Sequence, residues 1–311
     1  MNIKWRIPYD LLKTNNIHMK IILITGINGF LGSHLAKTLS KNYTIIGLAS
    51  SKENLYRLQD YSFKIYTTQD NLEDIFRENE IFAIIHAATV YKRNNDPVEK
   101  LINTNILLPV RLYEFAKKYK VKSFLNSDTF FNDSNYTHKY LPEYTLSKKH
   151  VIEWLKMIQS EVILINMKIF HMYGPHDAQN KFIPNIISTL VENKPNIDLS
   201  PGGQTRDFVY IDDVVAAYKI VLDKQSTFTN AFTEFEIGTG KSTSIKEIVL
   251  AIKEISKSKT QLSFGAIPYN ENEIMESEAK NTELHKLGWT PLYNITEGLS
   301  ILVNVCKKQY A

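Results

Sequence analysis

Three residues, Ser127, Tyr144 and Lys148, have types and spacing that could carry out proton chemistry. Tyr144 and Lys148 are four positions apart, so a helix would place the phenol and the ammonium on one face. A neighbouring positive charge stabilises phenolate, which tunes a tyrosine as a proton donor and acceptor near working pH. Ser127 ends the apolar run SFLNS, and its hydroxyl could polarise a carbonyl beside the tyrosine. Because YxxxK spacings are common on solvated helix faces, the position of this pair directly after the strand is what favours catalysis.

A glycine-rich turn, GINGFLG (26–32), lies directly between an apolar run and a helical pattern. The first glycine permits the turn, the second lets backbone N–H groups approach a pyrophosphate, and the third lets the helix pack closely on the strand. The helix N-terminus adds partial positive charge. This placement predicts dinucleotide binding rather than an ordinary turn. The turn residues expected to bind the cofactor are Gly26, Asn28, Gly29, Phe30, Leu31 and Gly32.

The end of the second predicted strand indicates which dinucleotide is bound. An acidic residue there would bind the 2′-hydroxyl of NAD, but the sequence continues with Ser50, Ser51 and Lys52 and has no acid before Glu53. Two hydroxyls and a lysine can hold a 2′-phosphate. We therefore expect NADP (NADPH), bound by Ser50, Ser51 and Lys52, with NAD as the alternative.

Apolar runs alternate with helical patterns from residue 19 onward. The predicted strands cover residues 20–25, 43–49, 63–68, 81–88, 123–127 and 161–170, and the predicted helices cover 30–41, 102–119 and 143–159. Such alternation predicts an α/β fold with a Rossmann-type, doubly wound parallel sheet. Continuous apolar strands are typical of a sheet that is buried on both faces. Pro109 interrupts the pattern of the second helix.

The alternation breaks after residue 171, where loop-rich segments precede one more predicted strand, FEIGTG (235–240), and a helical tail. We expect an NADP-binding Rossmann domain over 19–170, completed by the strand near 235–240. A smaller C-terminal lobe over 171–311 is expected to bind the substrate. Residues 1–18 lack the apolar core and cleavage site of a signal peptide, so we expect an N-terminal arm or extension.

Composition narrows the class of protein. The chain has 311 residues, 43% of them hydrophobic, with a formal net charge of +4. It has no basic run with interleaved aromatics, so nucleic-acid binding is not expected. No apolar run approaches the roughly 18 residues of a membrane helix, and the histidines lack metal-ligand spacing. The single cysteine, Cys306, excludes an internal disulfide and suits a reducing compartment. A cytoplasmic protein without a metal site is expected.

The glycine turn, Ser127 and the YxxxK helix together resemble the extended short-chain dehydrogenase/reductases, Rossmann-fold enzymes that act on nucleotide sugars. Further matching segments are HAAT (86–89), NTN (103–105), YGP (173–175), RDFVYIDDV (206–214) and LGWTP (287–291). Within that family the chain is most similar to CDP-sugar 4-ketoreductases of the CDP-abequose synthase type. The segments that carry this closer likeness are FLNSDTFF, NKFIP, TRDFVYIDDVV and FGAI…NEIM.

The resemblance implies roles for individual residues. Ser127 would bind the sugar carbonyl, Tyr144 would donate the proton, and Lys148 would bind the nicotinamide ribose and tune Tyr144. Arg206 would clamp the substrate pyrophosphate, because a guanidinium can donate two hydrogen bonds to phosphate oxygens. Asn105 matches a residue that is as readily structural as catalytic. The other cofactor contacts implied are Asp70, Asn71, Ala87, Ala88, Asn105 and His171. The substrate contacts implied are Lys92, Ser127, Asp128, Asn180, Lys181, Phe182, Arg206 and Tyr210.

Two positions depart from the family pattern. Many relatives carry asparagine before the YGP turn where this chain has His171, which is expected to pack locally or to contact the cofactor amide rather than act as a general base. A second phosphate-binding arginine is expected near residue 270, where this chain has Asn270. Either Lys181 or another cation compensates, or the phosphates are held more loosely.

The reaction implied is NADPH-dependent reduction of the 4-keto group of a CDP-linked 4-keto-deoxyhexose, in deoxysugar or O-antigen biosynthesis. The alternatives on the same fold are a nucleotide-sugar 4-epimerase or 4,6-dehydratase. Dehydratases of this family carry Thr-Asp-Glu after the fifth strand, and matching that triplet to residues 127–129 leaves Thr129 in place of the base. An alternative of another class is a non-catalytic NADP(H)-binding protein, which retention of Ser127, Tyr144 and Lys148 disfavours. Family members commonly pair through two helices, so a homodimer through 102–119 and 144–159 is expected.

Overall fold

The structure is a computed structural model that describes residues 19–91, 96–132 and 141–310. Its strands are β1 Ile21–Thr25, β2 Thr44–Ala49, β3 Lys64–Thr67, β4 Ile81–His86, β5 Ser123–Thr129, β6 Ile163–Ile169, β7 His171–Tyr173, β8 Asn196–Leu199, β9 Thr205–Arg206, β10 Phe208–Tyr210, β11 Phe232–Ile237, β12 Thr243–Ser244 and β13 Gln261–Phe264. Its helices are α1 Phe30–Leu39, α2 Leu72–Glu78, α3 Val98–Ile102, α4 Leu108–Lys118, α5 Pro142–Met157, α6 Phe182–Val191, α7 Ile211–Lys224, α8 Ile245–Ser256, α9 Thr282–Lys286 and α10 Ile295–Tyr310.

Seven strands form one parallel sheet in the order β11-β6-β5-β4-β1-β2-β3. The predicted α/β class with a doubly wound parallel sheet is therefore confirmed. The strand order reverses between β1 and β4, so the loops after these two strands diverge and leave a crevice at the carboxyl edge of the sheet. The glycine turn follows β1 and residues 87–91 follow β4, so both predicted cofactor segments border this crevice.

Each face of the sheet packs against its own layer of helices. We call the larger cluster, which includes residues of α1, α6, α7, α8 and α10, the first core, and the cluster with residues of α2, α4 and α5 the second core. Successive strand residues alternate between the two, because side chains along a strand point to opposite faces. In β5, Phe124 lies in the second core and Leu125 in the first. Successive side chains of β5 therefore point to opposite faces of the sheet.

The helix predicted over 102–119 is wrong as a single element. The structure has α3, a π-helical turn over Asn103–Leu107 and then α4. Pro109 lies in the first turn of α4. It closely follows the π turn, where the regular hydrogen-bond pattern of the α-helix is already interrupted. The wide turn before it, which the periodicity did not indicate, contains Asn105.

The chain after residue 171 returns twice to the central sheet. Helix α7 packs on α1, and β11 extends the sheet beside β6, as the sequence predicted for a strand near 235–240. Helices α6 and α7 were not predicted in this loop-rich region. The pairs β7–β10, β9–β12 and β8–β13 form separate two-stranded sheets. The division at residue 170 into two domains stays a prediction. Within the described ranges, no helix has the length and apolar character needed to cross a membrane.

Candidate active site

The glycine turn has the shape that a pyrophosphate requires. Gly26 has a φ of +63°, and a Cβ added there would lie 2.7 Å from the Cα of Ala88. A Cβ on Gly32 would lie 2.2 Å from the carbonyl oxygen of Gly26. The first residue before α1, Gly29, offers no side chain to cap the helix, and the first turn has no acidic residue. The N–H groups at this helix end therefore remain available to an anion, and the turn fits the dinucleotide predicted from the sequence.

Thr25 fixes the segment after β4 beside this turn. Its hydroxyl accepts hydrogen bonds from the N–H groups of Ala87 and Ala88, at 3.2 and 3.1 Å. The same hydroxyl lies 2.9 Å from Nδ1 of His86, to which it donates its proton. Ala87 and Ala88, predicted to contact the cofactor, are thus held against Gly26.

The polar residues after β2 and β3 lie at the surface. Ser50, Ser51 and Lys52 are exposed. The Asp70 carboxylate accepts a 2.7 Å hydrogen bond from the Thr67 N–H, which lowers the pKa of this carboxyl, and the Lys52 charge acts in the same direction. Asn71 caps α2 through its side chain. The structure therefore gives Asp70 and Asn71 local roles in the turn, and their implied contacts with the cofactor stay predictions.

Arg57 is a residue that sequence reasoning missed. Its guanidinium donates to the carbonyl oxygen of Asn28 in the glycine turn at 3.2 Å. It also donates to the carbonyl oxygen of His176, at 2.9 Å from Nη2 and 3.1 Å from Nε. Arg57 thus joins the glycine turn to the loop after β7. No motif surrounds it, and both of its partners are distant in sequence.

Tyr144 and Lys148 lie on one face of α5, as their spacing predicts. The Tyr144 ring stacks on that of Tyr91, with ring centroids 4.5 Å apart. Nζ of Lys148 lies 5.9 Å from the centre of the Tyr144 ring and donates a 2.8 Å hydrogen bond to the carbonyl oxygen of Ser127. Both side chains are buried, so the pair is not part of a solvated helix surface.

Burial controls the protonation of this pair. It raises the pKa of Tyr144 well above its usual value, the neighbouring Tyr91 and Asp128 raise it further, and hydrogen bonding with Thr129 opposes the rise. Burial lowers the pKa of Lys148 to about 8, against the opposing effect of Asp128. The expectation that the lysine lowers the tyrosine pKa is therefore not met in the ligand-free protein. Tyr144 carries its proton at neutral pH, which is the form a proton donor needs.

The hydroxyl beside Tyr144 belongs to Thr129 and not to Ser127. Tyr218 of α7 donates a 2.7 Å hydrogen bond to Oγ of Ser127. Ser127 has the same strand parity as Leu125, and both Leu125 and Tyr218 lie in the first core, on the face of the sheet opposite α5. Thr129 ends β5 and lies next to the Tyr144 phenol. Ser127 and Thr129 share one strand parity, so the contact with Tyr218 and the position of Thr129 at the end of β5, rather than alternation, separate their environments. The catalytic role expected of the Ser127 hydroxyl stays a prediction.

The Asp128 carboxylate is bound by groups of the protein itself. It accepts hydrogen bonds from Asn166 Nδ2 at 2.8 Å, from the Thr129 N–H at 2.8 Å and from Asn132 Nδ2 at 3.1 Å. Its exposed fraction is 4%. The carboxylate is therefore turned into the protein among amide groups, and its predicted contact with the substrate stays a prediction.

Asn105 has a structural position. Its Oδ1 accepts from the N–H of Val90 at 2.8 Å, and its Nδ2 donates to the Val90 carbonyl and to Oγ of Ser147, both at 2.9 Å. The residue is fully buried. Of the two roles that the sequence left open, the structure supports the structural one, since Asn105 ties the segment after β4 to α5. The cofactor contact implied for its side chain stays a prediction.

Arg206, the expected phosphate clamp, is already paired. Its guanidinium forms an ion pair with Glu273 and donates a 2.8 Å hydrogen bond to the carbonyl oxygen of Thr205. Glu273 also accepts a 3.2 Å hydrogen bond from Nδ2 of Asn270, the residue found where relatives have a second arginine. The region where the substrate pyrophosphate is expected therefore contains a carboxylate, Glu273, that sequence reasoning missed.

His171 and Lys181 border the same region. The His171 ring packs on Phe130, with centroids 4.3 Å apart. Burial lowers the pKa of His171 to about 3, and the charges of Arg206 and Lys181 act in the same direction. His171 is thus neutral, which agrees with the packing role expected for it. Lys181 pairs with Asp177 at 3.0 Å, and its Nζ lies 5.4 Å from the centre of the Phe30 ring.

The remaining predicted substrate residues differ in their exposure to solvent. Asn180 is exposed just before α6, and Phe182 is exposed as the first residue of that helix. Tyr210 is buried in the first core, where its ring packs on Tyr173 and Tyr293. Core packing accounts for the position of Tyr210, and its assignment to the substrate stays a prediction. Lys92 lies outside the described residues.

Comparison with known proteins agrees with this arrangement. Residues 22–238 match the family model described as "NAD dependent epimerase/dehydratase family". The CDP-abequose synthase of Salmonella muenchen is 35% identical over 292 residues, covering 92% of this chain and 98% of that protein. A second CDP-abequose synthase, from Salmonella typhimurium, is 30% identical and covers 91% of this chain and 97% of that protein.

Solved structures show the same fold. The UDP-glucose 4-epimerase of Thermotoga maritima, determined with UDP-glucose, superposes with a TM-score of 0.80 at 23% identity, over 94% of this chain and 100% of that one. The UDP-glucose 4-epimerase of Thermus thermophilus, in complex with NAD, has a TM-score of 0.74 at 20% identity, over 92% and 99% of the two chains. From the family match and the two relatives, the chain belongs to the NAD-dependent epimerase/dehydratase family of extended short-chain dehydrogenase/reductases.

Proposed function

We propose that this protein is an NADPH-dependent reductase of the 4-keto group of a CDP-linked 4-keto-deoxyhexose. The observation that carries the proposal is the buried phenol of Tyr144, protonated and close to both Lys148 and Thr129 at the carboxyl edge of β5. Such a group can give a proton to an oxygen that becomes negatively charged when a ketone is reduced. The names of the two Salmonella relatives support the CDP-sugar as substrate.

Each residue of the pair has a defined task in this proposal. Tyr144 donates its proton to the sugar oxygen at C4. Lys148, held by the carbonyl oxygen of Ser127, contributes a positive charge that stabilises the phenolate left behind. The Thr129 hydroxyl takes the part first expected of Ser127 and binds the same sugar oxygen. A nicotinamide dinucleotide bound along the glycine turn would supply the hydride.

NADPH is proposed as the cofactor for the reason first seen in the sequence. No acidic residue follows β2 to bind a 2′-hydroxyl, whereas Ser50, Ser51 and Lys52 are exposed there. The Lys52 charge acts on Asp70 at the neighbouring strand end, so this part of the crevice has a cation for a 2′-phosphate. NAD, which is present in the Thermus thermophilus structure, is the alternative.

The position of Thr129 bears on the choice between reduction and elimination. If Thr129 is the hydroxyl that precedes the two carboxylates of a dehydratase, then the residues at those two positions are Phe130 and Phe131. Their rings pack together with centroids 4.1 Å apart. A phenyl ring can act as neither acid nor base, so both groups that a dehydratase needs are missing. Matching the triplet to residues 129–131 removes both the acid and the base of a dehydratase, whereas matching it to residues 127–129 removes only the base.

An apolar surface on two helices supports the proposed homodimer. Leu146, Trp154 and Met157 of α5 have exposed fractions of 52, 54 and 80%. Their spacing of eight and eleven residues places them on one stripe of the helix. Ile102 and Leu107, next to α4, are 44 and 46% exposed. These helices are the ones predicted to pair. A cytoplasmic location and a place in deoxysugar or O-antigen biosynthesis stay predictions.

The experiment that tests the function combines purified protein with CDP- and dTDP-linked 4-keto-6-deoxyhexoses and either NADPH or NADH, with identification of the product sugar. We expect one NADPH to be oxidised per CDP-sugar reduced. Tyr144→Phe should lower kcat by at least about 10²-fold because the proton donor is lost. Tyr43→Phe, a surface change that removes only a hydrogen bond to Asp223, is the matched control and should match wild type. Conversion of the sugar without net NADPH oxidation, or wild-type turnover by Tyr144→Phe, would contradict the proposal.

A further inference from the structure

A row of polar side chains crosses the sheet beneath the active site. Thr25, His86, Asn126, Asn166 and Glu234 are register partners in β1, β4, β5, β6 and β11. They lie on the face of the sheet that packs in the second core, since Asn126 has the same strand parity as Phe124. The first four are completely buried. Burial of so many polar groups is costly unless they are hydrogen-bonded to one another.

Asn166 is the branching point of this row. Its Oδ1 accepts from Asn126 Nδ2 at 2.8 Å. Its Nδ2 donates to two carboxylates, Oδ2 of Asp128 and Oε2 of Glu234, both at 2.8 Å. Glu234 is neutralised by an ion pair with Lys168 at 2.8 Å. Asp128 is instead held by neutral donors, namely Asn166, Asn132 and the Thr129 N–H.

Those donors favour a charged carboxylate. Burial raises the pKa of Asp128, but each of its hydrogen bonds lowers it, and so does Lys148. Every one of these hydrogen bonds is accepted by the carboxylate, which makes the ionised form the one that fits the site. Asp128 is thus a buried aspartate. Among the described residues it has no ion pair comparable to the 2.8 Å pair between Glu234 and Lys168.

Asp128 lies between the two residues of β5 that meet the catalytic pair. The Ser127 carbonyl accepts a 2.8 Å hydrogen bond from Nζ of Lys148, and Thr129, whose N–H donates to the Asp128 carboxylate at 2.8 Å, lies beside the Tyr144 phenol. From this position the charge of Asp128 acts on ionisable groups from three elements. It opposes loss of the proton from Tyr144 and Lys148 of α5, from Tyr218 of α7 and from Lys168 of β6. His86 of β4 also faces Lys148, but burial holds its pKa well below the usual value, so it stays neutral. Lys168 is already balanced by Glu234, and Tyr218 is bound to Ser127. Lys148, with a pKa of about 8, is therefore the group whose protonation the Asp128 charge affects near neutral pH, and Tyr144 is the group whose proton it helps to retain.

We propose that Asp128, held by the amide of Asn166, is a positioning residue that keeps Tyr144 and Lys148 in their proton-carrying forms. The Asp128 carboxylate is turned inward to Asn166, Asn132 and the Thr129 N–H, so in this proposal it acts through the catalytic pair. A negative charge beside both groups makes removal of either proton harder. Lys148 consequently keeps its proton up to a higher pH than burial alone would allow. The kinetic consequence of this inference rests on the proposed function, whereas the titration of Lys148 does not.

The test measures the titration of Lys148 in ligand-free protein by NMR of lysines labelled with 13C at Cε, assigned by the resonance lost in Lys148→Met. In wild type the midpoint is expected near 8. Asp128→Asn keeps the shape of the side chain and removes its charge, so the midpoint should fall by about one pH unit or more. Glu234→Gln is the matched control, because it removes the other carboxylate bound to Asn166 and should leave the midpoint unchanged. Asp128→Ser, which removes the same charge with a smaller side chain, serves if Asp128→Asn does not fold.

The same variants separate this inference from the function. With an active enzyme, the alkaline limb of the kcat–pH profile should move to lower pH in Asp128→Asn, because Tyr144 and Lys148 both lose their protons more easily. It should not move in Glu234→Gln. An unshifted Lys148 midpoint in the Asp128 variants, or an equal shift in Glu234→Gln, overturns the inference. If no ketosugar is reduced by wild type, the proposed function fails while the NMR titration still decides the role of Asp128.

Discussion

At the scale of the residue, the candidate site depends on how β5 presents its last three side chains. Ser127 turns toward α7, Asp128 turns inward to Asn166, and Thr129 reaches Tyr144 at the edge of the sheet. Three adjacent polar residues therefore have three different environments. Of these three residues, Thr129 is the one whose hydroxyl lies beside the Tyr144 phenol.

Thr129→Val and Ser127→Ala test this assignment as a pair. Thr129→Val keeps the side-chain volume and removes the hydroxyl, so we expect kcat to fall by roughly 10²-fold, as for the loss of one oxyanion donor. Ser127→Ala should leave kcat within about threefold of wild type. It should instead destabilise the protein by about 1–3 kcal/mol, because the Tyr218 hydroxyl loses its buried partner. Steady-state kinetics and urea unfolding measure the two effects, and the reverse ranking in kcat would restore Ser127 as the catalytic hydroxyl.

At the scale of the element, the β1–α1 connection is the most constrained part of the cofactor site. The turn closes with a 2.7 Å hydrogen bond from the Gly29 N–H to the Gly26 carbonyl. Arg57 and the Ala87–Ala88 segment hold it from two sides. No space remains for a side chain at Gly32, because the Gly26 carbonyl oxygen occupies it. A helix start built in this way leaves its N–H groups free for phosphate.

Gly32→Ala should therefore weaken NADPH binding by at least about tenfold, since the turn must open to relieve a contact with backbone. Gly265→Ala is the control. It too has a positive φ, +82°, but no atom lies within 4 Å of an added Cβ. Its cost is limited to backbone strain of about 1–2 kcal/mol, and NADPH affinity should not change. Fluorescence titration with NADPH gives both affinities, and equal affinities for the two variants would refute the proposed cradle.

At the scale of the whole molecule, the apolar surfaces are unevenly distributed. The stripe formed by Leu146, Trp154 and Met157 lies on α5, the helix that also carries Tyr144 and Lys148. A second copy of the chain packed on this stripe would cover the outer face of the helix whose inner face forms the site. Association and catalysis would then share one structural element.

Light scattering during size-exclusion chromatography tests the dimer. Wild type should have twice the chain mass of 35.9 kDa. Leu146→Glu combined with Trp154→Glu should give the mass of one chain, because charged side chains would have to be buried in the interface. Leu292→Glu, which changes a 78% exposed leucine outside this stripe, should remain dimeric. A single-chain mass for wild type would exclude the proposed pairing.

From the sequence alone we could predict the sheet, the glycine turn and the Tyr144–Lys148 pair. Each depends on short-range periodicity: apolar runs for buried strands, glycines at fixed offsets, and a spacing of four on a helix. The same local reasoning missed the π turn at Asn103–Leu107, where Asn105 is bound by Val90 and Ser147, which are 15 and 42 positions away.

Tertiary contacts, which local sequence patterns do not show, orient the hydroxyl that faces Tyr144 and the carboxylate of Asp128. Ser127 is turned by its bond to Tyr218, which is 91 positions away, and Asp128 by Asn166, 38 positions away. Arg57 and Glu273 likewise gain their roles from partners distant in sequence. The physical reason is that a side chain at a strand end has local freedom to point several ways, and distant groups that pack on it select one.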